Sequence, residues 1–213
     1  MKSLYIDTSS SYLYSGIVEK RELLAECKIN YGKDLSKFAL SEIKNMFKKT
    51  NLSPVDIDKI IVVSGPGSFT GIRIGMTFAK IFAWSLNKKI TTISSLDAMS
   101  SSINSNKLIV PVIDARRGYV YAGVYENDEL ILENQYIKLE DLINYLKTLN
   151  KEYIFVTNND NLKLDNIIKY NPNILKIVLK YQEKESINPH LVEPNYLKLV
   201  EAEENLRNLK NDN

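Results

Sequence analysis

The sequence has 213 residues, of which 44% are hydrophobic and 25% are charged, and its formal net charge is +2. These values are typical of a globular protein with one domain or two small lobes, and the charge bias is too weak to indicate a dedicated nucleic-acid-binding protein. The single cysteine, Cys27, excludes an intrachain disulfide, and the single histidine, His190, excludes a metal site built on a histidine pair.

The N-terminus predicts neither a signal peptide nor a membrane span. The first apolar residues are interrupted by Asp7, and no run of about eighteen apolar residues occurs anywhere in the chain. We therefore expect a cytoplasmic protein that does not contact a membrane. Catalysis by a Ser–His or Cys–His pair is also disfavoured, because His190 lies in a proline-flanked segment and would have to act alone.

The chain begins with a predicted β-meander and an amphipathic helix. Leu4 and Ile6 alternate with Tyr5 before a polar turn, and two further β-like runs at residues 13–19 and 22–29 are separated by the charged turn Lys20-Arg21. From residue 34 to residue 49 the apolar residues recur at spacings of three and four, which predicts a helix capped by Asp34. Ser53 and Pro54 then predict a capped turn.

Strands and helices alternate through the rest of the chain. Further strands are predicted at residues 59–63, 90–93, 108–113, 119–126, 130–137, 153–156 and 175–179. Further helices are predicted at residues 72–86, 95–103, 139–149, 162–170 and 195–209. A polar turn before residue 108 indicates a boundary between an N-terminal lobe, residues 1–104, and a C-terminal lobe, residues 105–213; the last helix can pack back on the first lobe.

The two halves resemble each other weakly. Each begins with a strand that ends in an aspartate, Asp7 or Asp114, and continues through a β-hairpin to a helix. Such a duplication predicts an α/β protein with two lobes of the actin-like, ribonuclease-H-like type, in which mixed sheets are flanked by helices.

A glycine-rich loop at residues 65–75 is the most distinctive segment, with the sequence GPGSFTGIRIG. Gly65 and Gly67 permit positive φ and a close approach of the backbone, and the loop leads into a helix N-terminus that can hold an anion. The loop matches neither a Walker A motif nor the dinucleotide fingerprint. The alternative is a tight strand-to-helix turn, with Thr70 capping the helix and Arg73 anchoring a neighbouring loop.

This loop closely resembles the signature of the TsaB family, formerly grouped with glycoproteases. Four other stretches agree in order and spacing: YIDTS at residues 5–9, SSL at 94–96, IDARRGYVY at 113–121 and PNYL at 194–197. The resemblance covers about residues 3–200, although the segment from 139 to 190 matches in pattern alone. A histidine that the family often has near Asp34 is missing here.

The resemblance implies a role as a non-catalytic subunit of the machinery that makes threonylcarbamoyladenosine on tRNA. It implies a heterodimer with the catalytic subunit TsaD, which carries the ATP and metal chemistry, and cooperation with the small ATPase TsaE. It also implies that this chain has no cofactor or catalytic residue of its own, that tRNA is engaged through the complex, and that free copies pair as a homodimer. The shortage of histidine independently disfavours a metal site in this chain.

Two groups of polar residues are candidates for binding phosphate. The turn Asp7-Thr8-Ser9 lies where actin-like ATPases contact phosphate, but it lacks the glycine that lets a backbone approach phosphate closely. With Gly65, Gly67, Thr70 and Asp114 it forms the candidate nucleotide or phosphate site. Arg116 and Arg117 are candidates for RNA contact, because guanidinium groups match phosphate oxygens; the alternative is an ion pair between the lobes.

The helices predicted at residues 34–49 and 72–86 carry more apolar bulk than one internal face can use. An exposed apolar patch on them predicts a protein interface, and the family uses these two helices to contact TsaD or a second copy. The candidate interface residues are the large apolar side chains Phe38, Met46, Phe47, Phe78, Ile81 and Phe82.

Two other functions remain open from the residues alone. One is a small actin-like ATPase or kinase that holds magnesium with Asp7 and Asp114. The other is a direct tRNA-binding module that uses Arg116, Arg117 and the lysines near the C-terminus.

Overall fold

A computed structural model of the protein describes residues 1–159 and 161–198. Its strands are β1 (Lys2–Asp7), β2 (Tyr12–Glu19), β3 (Glu22–Asn30), β4 (Lys59–Val63), β5 (Lys89–Ile93), β6 (Leu108–Asp114), β7 (Tyr119–Glu126), β8 (Glu129–Lys138), β9 (Tyr153–Thr157) and β10 (Ile167–Lys169). Its helices are α1 (Leu35–Thr50), α2 (Phe69–Ser85), α3 (Ser95–Ser101), α4 (Leu139–Thr148) and α5 (Ile174–Tyr181).

The strands form two five-stranded sheets with the same internal order. The first sheet runs β3-β2-β1-β4-β5, and the second runs β10-β9-β6-β7-β8, which is the same succession counted from the opposite edge. In each sheet the three strands that come first in the chain, β1–β3 or β6–β8, form an antiparallel meander. The other two strands, β4 and β5 or β9 and β10, pair in parallel beside β1 or β6. The predicted duplication is therefore present in the topology.

Strand β4 explains how the first sheet lies between two layers. All five of its residues are buried, which is expected when both faces of a parallel strand are covered. Ile60 and Val62 pack in a core with α1 and α2, whereas Ile61 and Val63 pack on the opposite face.

The core on that opposite face joins the two sheets. It contains Tyr5 and Ile61 from the first sheet, Ile109 and Val156 from the second, and Ile177 from α5. A polar network adds to this contact: the Tyr125 hydroxyl on β7 donates to Asp97 Oδ1 on α3 at 2.7 Å. The two sheets thus share one packed interior. A third core, between the second sheet and α4, includes residues such as Val110, Leu142 and Leu146.

Two of the predicted helix caps form, and the one at Asp34 is wrong. Asp34 lies at the N-cap position of α1, but its side chain makes no capping hydrogen bond and instead pairs with Lys37 Nζ at 2.8 Å. Ser94 and Asp97 form the expected capping box at α3, and Ser53 and Asp56 form one at the turn Pro54–Asp56. Helix α2 begins three residues earlier than predicted, because the Ser68 hydroxyl accepts a hydrogen bond from Gly71 N at 3.2 Å.

Two predicted elements after β9 are wrong. The helix predicted at residues 162–170 is a loop followed by β10, because the β-branched pair Ile167-Ile168 adds to β9 in parallel. The strand predicted at residues 175–179 is helix α5. The side chain of Asn173 caps it by accepting from Lys176 N at 3.0 Å. Its buried residues recur at spacings of three and four, at Ile174, Ile177 and Val178.

The predicted C-terminal helix at residues 195–209 does not begin as expected, because residues 195–198 are not helical. The remainder of that prediction lies outside the described residues. Within the described part of the chain, no helix combines the length and the apolar character that crossing a bilayer requires. The lobe boundary at residue 104 remains a prediction.

Candidate functional site

The turn after β1 satisfies its own aspartate. Asp7 is buried, and its Oδ1 atom accepts hydrogen bonds from Ser9 N at 2.8 Å and from Ser9 Oγ at 2.7 Å. Burial raises the pKa of Asp7, and the bonds from Ser9 partly oppose that shift. This is the arrangement expected of an aspartate that stabilises its own turn.

The glycine loop packs directly on this turn. Ser68 N donates to Ser9 O at 2.7 Å, and Thr8 Oγ1 donates to Gly71 O at 2.7 Å. A Cβ atom at Gly67 would overlap Ser9 O, and one at Gly71 would overlap Thr8 O. The glycines are therefore required because the loop touches another backbone segment of the same chain.

Other parts of the family-like signature meet at the same place. Gly65 O accepts a hydrogen bond from Ser95 N at 2.9 Å, and Ser64 O accepts one from Asn195 N at 2.8 Å. The Ser95 hydroxyl also donates to Pro66 O. Segments that are far apart in sequence thus share one junction around the glycine loop.

A cavity of about 330 Å³ lies between the sheets on one side of this junction. Among the predicted phosphate-site and RNA-contact residues, those that line it are Asp7, Ser9, Asp114 and Arg116. Thr8 instead packs beneath α2, and Thr70 is exposed in the first turn of α2. The helix is capped by Ser68, so the predicted capping role of Thr70 is wrong.

Asp114 holds the turn that carries the two arginines. Its Oδ1 atom accepts from Arg116 N at 2.8 Å, and its Oδ2 atom accepts from Asn159 Nδ2 at 3.1 Å. Arg116 and Arg117 are exposed, with φ values of 68° and 55°. Among the described residues neither arginine forms an ion pair, so the predicted ion pair between the lobes is not formed there.

Sequence reasoning missed several polar residues of the cavity. They are neutral side chains: Ser10 and Ser11, which directly follow the predicted turn, and Ser95, Asn158, Asn159 and Tyr170 from segments distant in sequence. A signal for Asn158 and Asn159 was present, because they directly follow the parallel strand β9, and the carboxyl ends of parallel strands commonly border ligand crevices. Within residues 1–159 and 161–198, no three His, Cys, Asp or Glu side chains are grouped so as to hold a metal ion.

The predicted interface residues on α1 and α2 fall into two groups. Phe38 and Ile81 are exposed, and Ile81 retains 59% of its accessible surface. Met46 is only 2% exposed, so it belongs to the core and offers no surface to a partner. Phe47 and Phe82 are also largely buried.

Between these helices lies an open apolar groove of about 740 Å³, here called the α1–α2 groove. Its lining includes apolar side chains of both helices and of the following turn: Leu40, Ile43, Phe47, Leu52, Phe78 and Phe82. Leu40 is 60% exposed and was missed by the sequence analysis, although it lies on the same helix as Phe38. The lysines Lys44 and Lys48 also line the groove.

Comparisons of sequence agree with the resemblance noted above. The model of the family described as TsaD, tRNA N6-adenosine threonylcarbamoyltransferase, matches residues 31–176. The TsaB protein of Bacillus subtilis (strain 168) is 32% identical over 221 aligned residues, which cover 95% of this chain and 96% of that protein. The TsaB protein of Buchnera aphidicola is 28% identical, with 78% of this chain and 83% of that protein covered.

Comparisons of structure agree on the fold. The chain superposes on YeaZ from Pseudomonas aeruginosa with a TM-score of 0.72 at 15% identity, covering 92% of this chain and 99% of YeaZ. A P. aeruginosa protein described as similar to peptidase YeaZ gives a TM-score of 0.74 at 17% identity, with 92% and 99% covered. The fold is the predicted α/β architecture of two mixed sheets flanked by helices, and it is shared with YeaZ. The chain belongs to the TsaB family of tRNA threonylcarbamoyladenosine biosynthesis proteins.

Proposed function

We propose that this chain is a non-catalytic subunit that binds the catalytic subunit TsaD and supports threonylcarbamoyladenosine synthesis on tRNA. In this proposal TsaD and the small ATPase TsaE carry the ATP and metal chemistry, and tRNA is engaged by the assembled complex. The observation that carries the proposal is the open α1–α2 groove on a chain that belongs to the TsaB family.

The groove has the properties of a protein contact. Leu40 lines the groove and leaves 60% of its surface in water, and Phe78, which lines it from α2, is partly exposed. Contiguous exposed apolar surface of this kind is uncommon on monomers and is typical of interfaces. Covering these side chains would release about 25 cal/mol per Å² of apolar surface, which favours association.

The floor of the groove is rigid, which further favours docking. Phe82 stacks on Phe47 with ring centroids 6.1 Å apart, and Phe78 lies 5.7 Å from Phe82. These rings pack against the core of the first sheet, so a partner meets a preformed surface and little side-chain entropy is lost on binding. The lysines at the groove, Lys44 and Lys48, favour a partner with acidic residues around its apolar contact.

The hydrogen bonds already formed around Asp7, at the cavity between the sheets, support a non-catalytic role. The Oδ1 atom of Asp7 is already occupied by Ser9, and the glycine loop is in contact with its own chain at Ser9. A phosphate would have to displace these contacts. The competing proposal, an ATPase that holds magnesium with Asp7 and Asp114, would use carboxylates that already accept hydrogen bonds from Ser9, from Arg116 N and from Asn159 Nδ2.

Co-elution with TsaD of the same organism tests the proposal. The wild-type chain should form a one-to-one complex in size-exclusion chromatography. The groove variants Leu40→Glu and Phe78→Glu should each weaken the complex at least about tenfold, because a buried unpaired carboxylate costs well over 1.4 kcal/mol. Leu130→Glu on β8, another exposed apolar position, is the matched control and should bind as the wild type does.

The outcomes separate the alternatives. Loss of the complex in both groove variants, with unchanged circular dichroism, supports the groove as the TsaD contact. Failure of the wild type to bind TsaD, together with ATP hydrolysis by the isolated chain, would overturn the proposal in favour of the ATPase. In the absence of TsaD, the same groove should pair two copies, and the groove variants should then elute as monomers.

A further inference from the structure

A second surface, on the other side of the glycine loop, is not used by the proposed function. It borders a cavity of about 550 Å³ whose lining includes aromatic and cationic side chains from both halves of the chain: Phe69, Arg73, Tyr121, Tyr196 and Lys198. We call these residues, together with Tyr119, Tyr136 and Lys138, the aromatic patch.

The first half of the patch is a layered stack at the start of α2. The rings of Phe69 and Tyr196 are stacked with centroids 5.9 Å apart. The Arg73 guanidinium lies 3.6 Å from the centroid of Phe69, and Arg73 Nε donates to the Tyr196 hydroxyl at 3.2 Å. Phe69 nevertheless remains 56% exposed, so this stack is an ordered aromatic surface in water.

The second half is a row of tyrosines on the neighbouring sheet. Tyr121 on β7 and Tyr136 on β8 are opposite each other in the strand register, with ring centroids 5.7 Å apart. Tyr136 also stacks on Tyr119 at 4.6 Å with the ring planes only 6° apart. All three rings are partly exposed. Alternation along the strands places them on one face of the sheet.

Cations accompany both halves of the patch. Lys198 Nζ lies 5.2 Å from the ring centroid of Tyr136, and Lys138 Nζ lies 6.0 Å from that of Tyr119. Arg117 lines a depression together with Tyr119 and Lys138, in which Lys147 is a further cation and Glu140 the one acidic residue among the described lining residues. Among the described residues no acidic side chain forms an ion pair with Arg73, Lys138 or Arg117, so their charge is available to a ligand.

This combination fits single-stranded RNA better than a protein partner. Unpaired bases stack on exposed aromatic rings and on guanidinium planes, while nearby cations attract the phosphates. A protein interface of similar size would be expected to present aliphatic side chains as well, as the α1–α2 groove does, and fewer lysines. Here a cation lies against a ring in three places: Arg73 at Phe69, Lys138 at Tyr119 and Lys198 at Tyr136.

We infer that the aromatic patch binds a single-stranded RNA segment, whose bases stack on the Phe69–Arg73 layer and on the tyrosine row. This inference goes beyond the proposed function, in which the chain contacts TsaD through the α1–α2 groove and tRNA is engaged by the complex. It does not depend on that groove, because RNA binding by the patch is a property of this chain alone.

Fluorescence anisotropy with the isolated full-length chain tests the inference. The probe is a labelled single-stranded RNA of about 12 nucleotides and mixed sequence, long enough to cross the patch. Binding should weaken markedly between about 50 mM and 200 mM salt. Phe69→Ala should weaken it by roughly 5- to 100-fold, since stacking contributes about 1–3 kcal/mol per base.

Matched variants separate stacking from general charge effects. Phe69→Tyr keeps a ring and should bind as the wild type does. Arg73→Gln should lower the slope of log affinity against log salt by about one. Trp84→Ala removes an aromatic residue that is 64% exposed elsewhere on α2, and it should have no effect.

Three results would overturn the inference. They are no binding at low salt, an unchanged affinity in a folded Phe69→Ala variant, and an equal loss in Trp84→Ala. The first would leave the patch as a contact for another protein. Binding of TsaD to Phe69→Ala is measured alongside and should equal that of the wild type. The RNA test is then independent of the proposed function.

Discussion

The two sheets share one strand order but are covered differently. In the first sheet, α2 lies between β4 and β5 in the chain and packs on β4. In the second sheet, the corresponding connection from β9 to β10 contains no helix in its described residues, 158–159 and 161–166. Strand β10 has three residues, all of them exposed.

Glycine explains part of this difference. Helix α2 reaches the turn after β1 because Gly71 and Gly75 leave space for the backbone and side chain of Thr8. Beyond Gly123 the sequence contains no glycine, so no comparable close approach is available to the connection after β9. The duplicated strand order therefore does not depend on a helix between the last two strands of each sheet. The close packing of α2, in contrast, depends on the glycines at 71 and 75.

The largest effect should come from the buried strands of the first sheet. Ile61 on β4 is fully buried, so Ile61→Ala should lower the free energy of unfolding by about 4 kcal/mol. The residue chosen for comparison in the second sheet is Ile154 on β9, the strand that pairs in parallel with β6 as β4 pairs with β1. Since Ile154 is partly exposed, Ile154→Ala should cost about 2 kcal/mol or less. Urea unfolding measures both, and equal losses would refute the comparison.

The glycine contact should have the next largest effect. In Gly71→Ala the new methyl group overlaps Thr8 O, which is backbone and has little freedom to move, so we expect a loss of about 3 kcal/mol in unfolding free energy. Thr70→Ala, at the exposed neighbouring position, is the control and should change it by no more than about 0.5 kcal/mol. If both variants have the same unfolding free energy as the wild type, the glycine loop is not tightly packed on the turn after β1.

The contact between the sheets should contribute less. The Tyr125 hydroxyl bonds Asp97 Oδ1 and lies 2.8 Å from Asn134 Oδ1. Tyr125→Phe leaves Asp97 with one fewer donor and should lower the unfolding free energy by about 1–2 kcal/mol. Tyr153→Phe, a tyrosine for which no hydroxyl hydrogen bond occurs among the described residues, is the matched control. Thermal unfolding measures both variants. An equal loss of stability in Tyr125→Phe and Tyr153→Phe would argue against the network of Tyr125, Asp97 and Asn134.

The smallest effect should be on the pH dependence of stability, to which Asp7 and Asp56 are expected to contribute with opposite signs. Burial raises the pKa of Asp7, so its contribution to stability is present below the unfolded-state value of about 3.9 and is lost as the pH rises. The hydrogen bonds from Ser53 lower the pKa of Asp56, so its contribution is lost as the pH falls below that value.

Replacement by asparagine should therefore give opposite trends. The stability of the wild type relative to Asp7→Asn should fall with rising pH, and its stability relative to Asp56→Asn should rise. Chemical unfolding across the acidic range measures both trends, and the same sign for both would contradict the assigned causes.

Much of the fold could be predicted because strong patterns agree with the tertiary structure. The β-like run of β2 and the spacing of three and four in α1 each extend over most of the element, and the capping residues Ser53 and Ser94 lie where expected. The segments after β9 are short and rich in β-branched residues. Whether Ile167 or Ile177 lies in a strand depends on which neighbour is available, and local pattern does not contain that information.

The candidate sites were predictable only in part for a related reason. Asp7 and Asp114 end the first strand of each half, and both line the cavity between the two sheets. Tyr170 and Ser95 reach the same cavity from segments that only the tertiary fold brings together. Likewise, the period of α1 could not decide that Met46 faces the core while Leu40 remains in water.

A reconstituted modification assay tests the central claim most directly. Purified TsaD, TsaE, tRNA and the threonylcarbamoyl donor are combined with the wild-type chain, with Leu40→Glu, with Leu130→Glu, or with no addition, and modified adenosine is measured. We predict that modification requires this chain, falls at least about tenfold with Leu40→Glu and is unchanged with Leu130→Glu. Full modification without the chain, or with Leu40→Glu, would contradict its assignment as a subunit that acts through the α1–α2 groove.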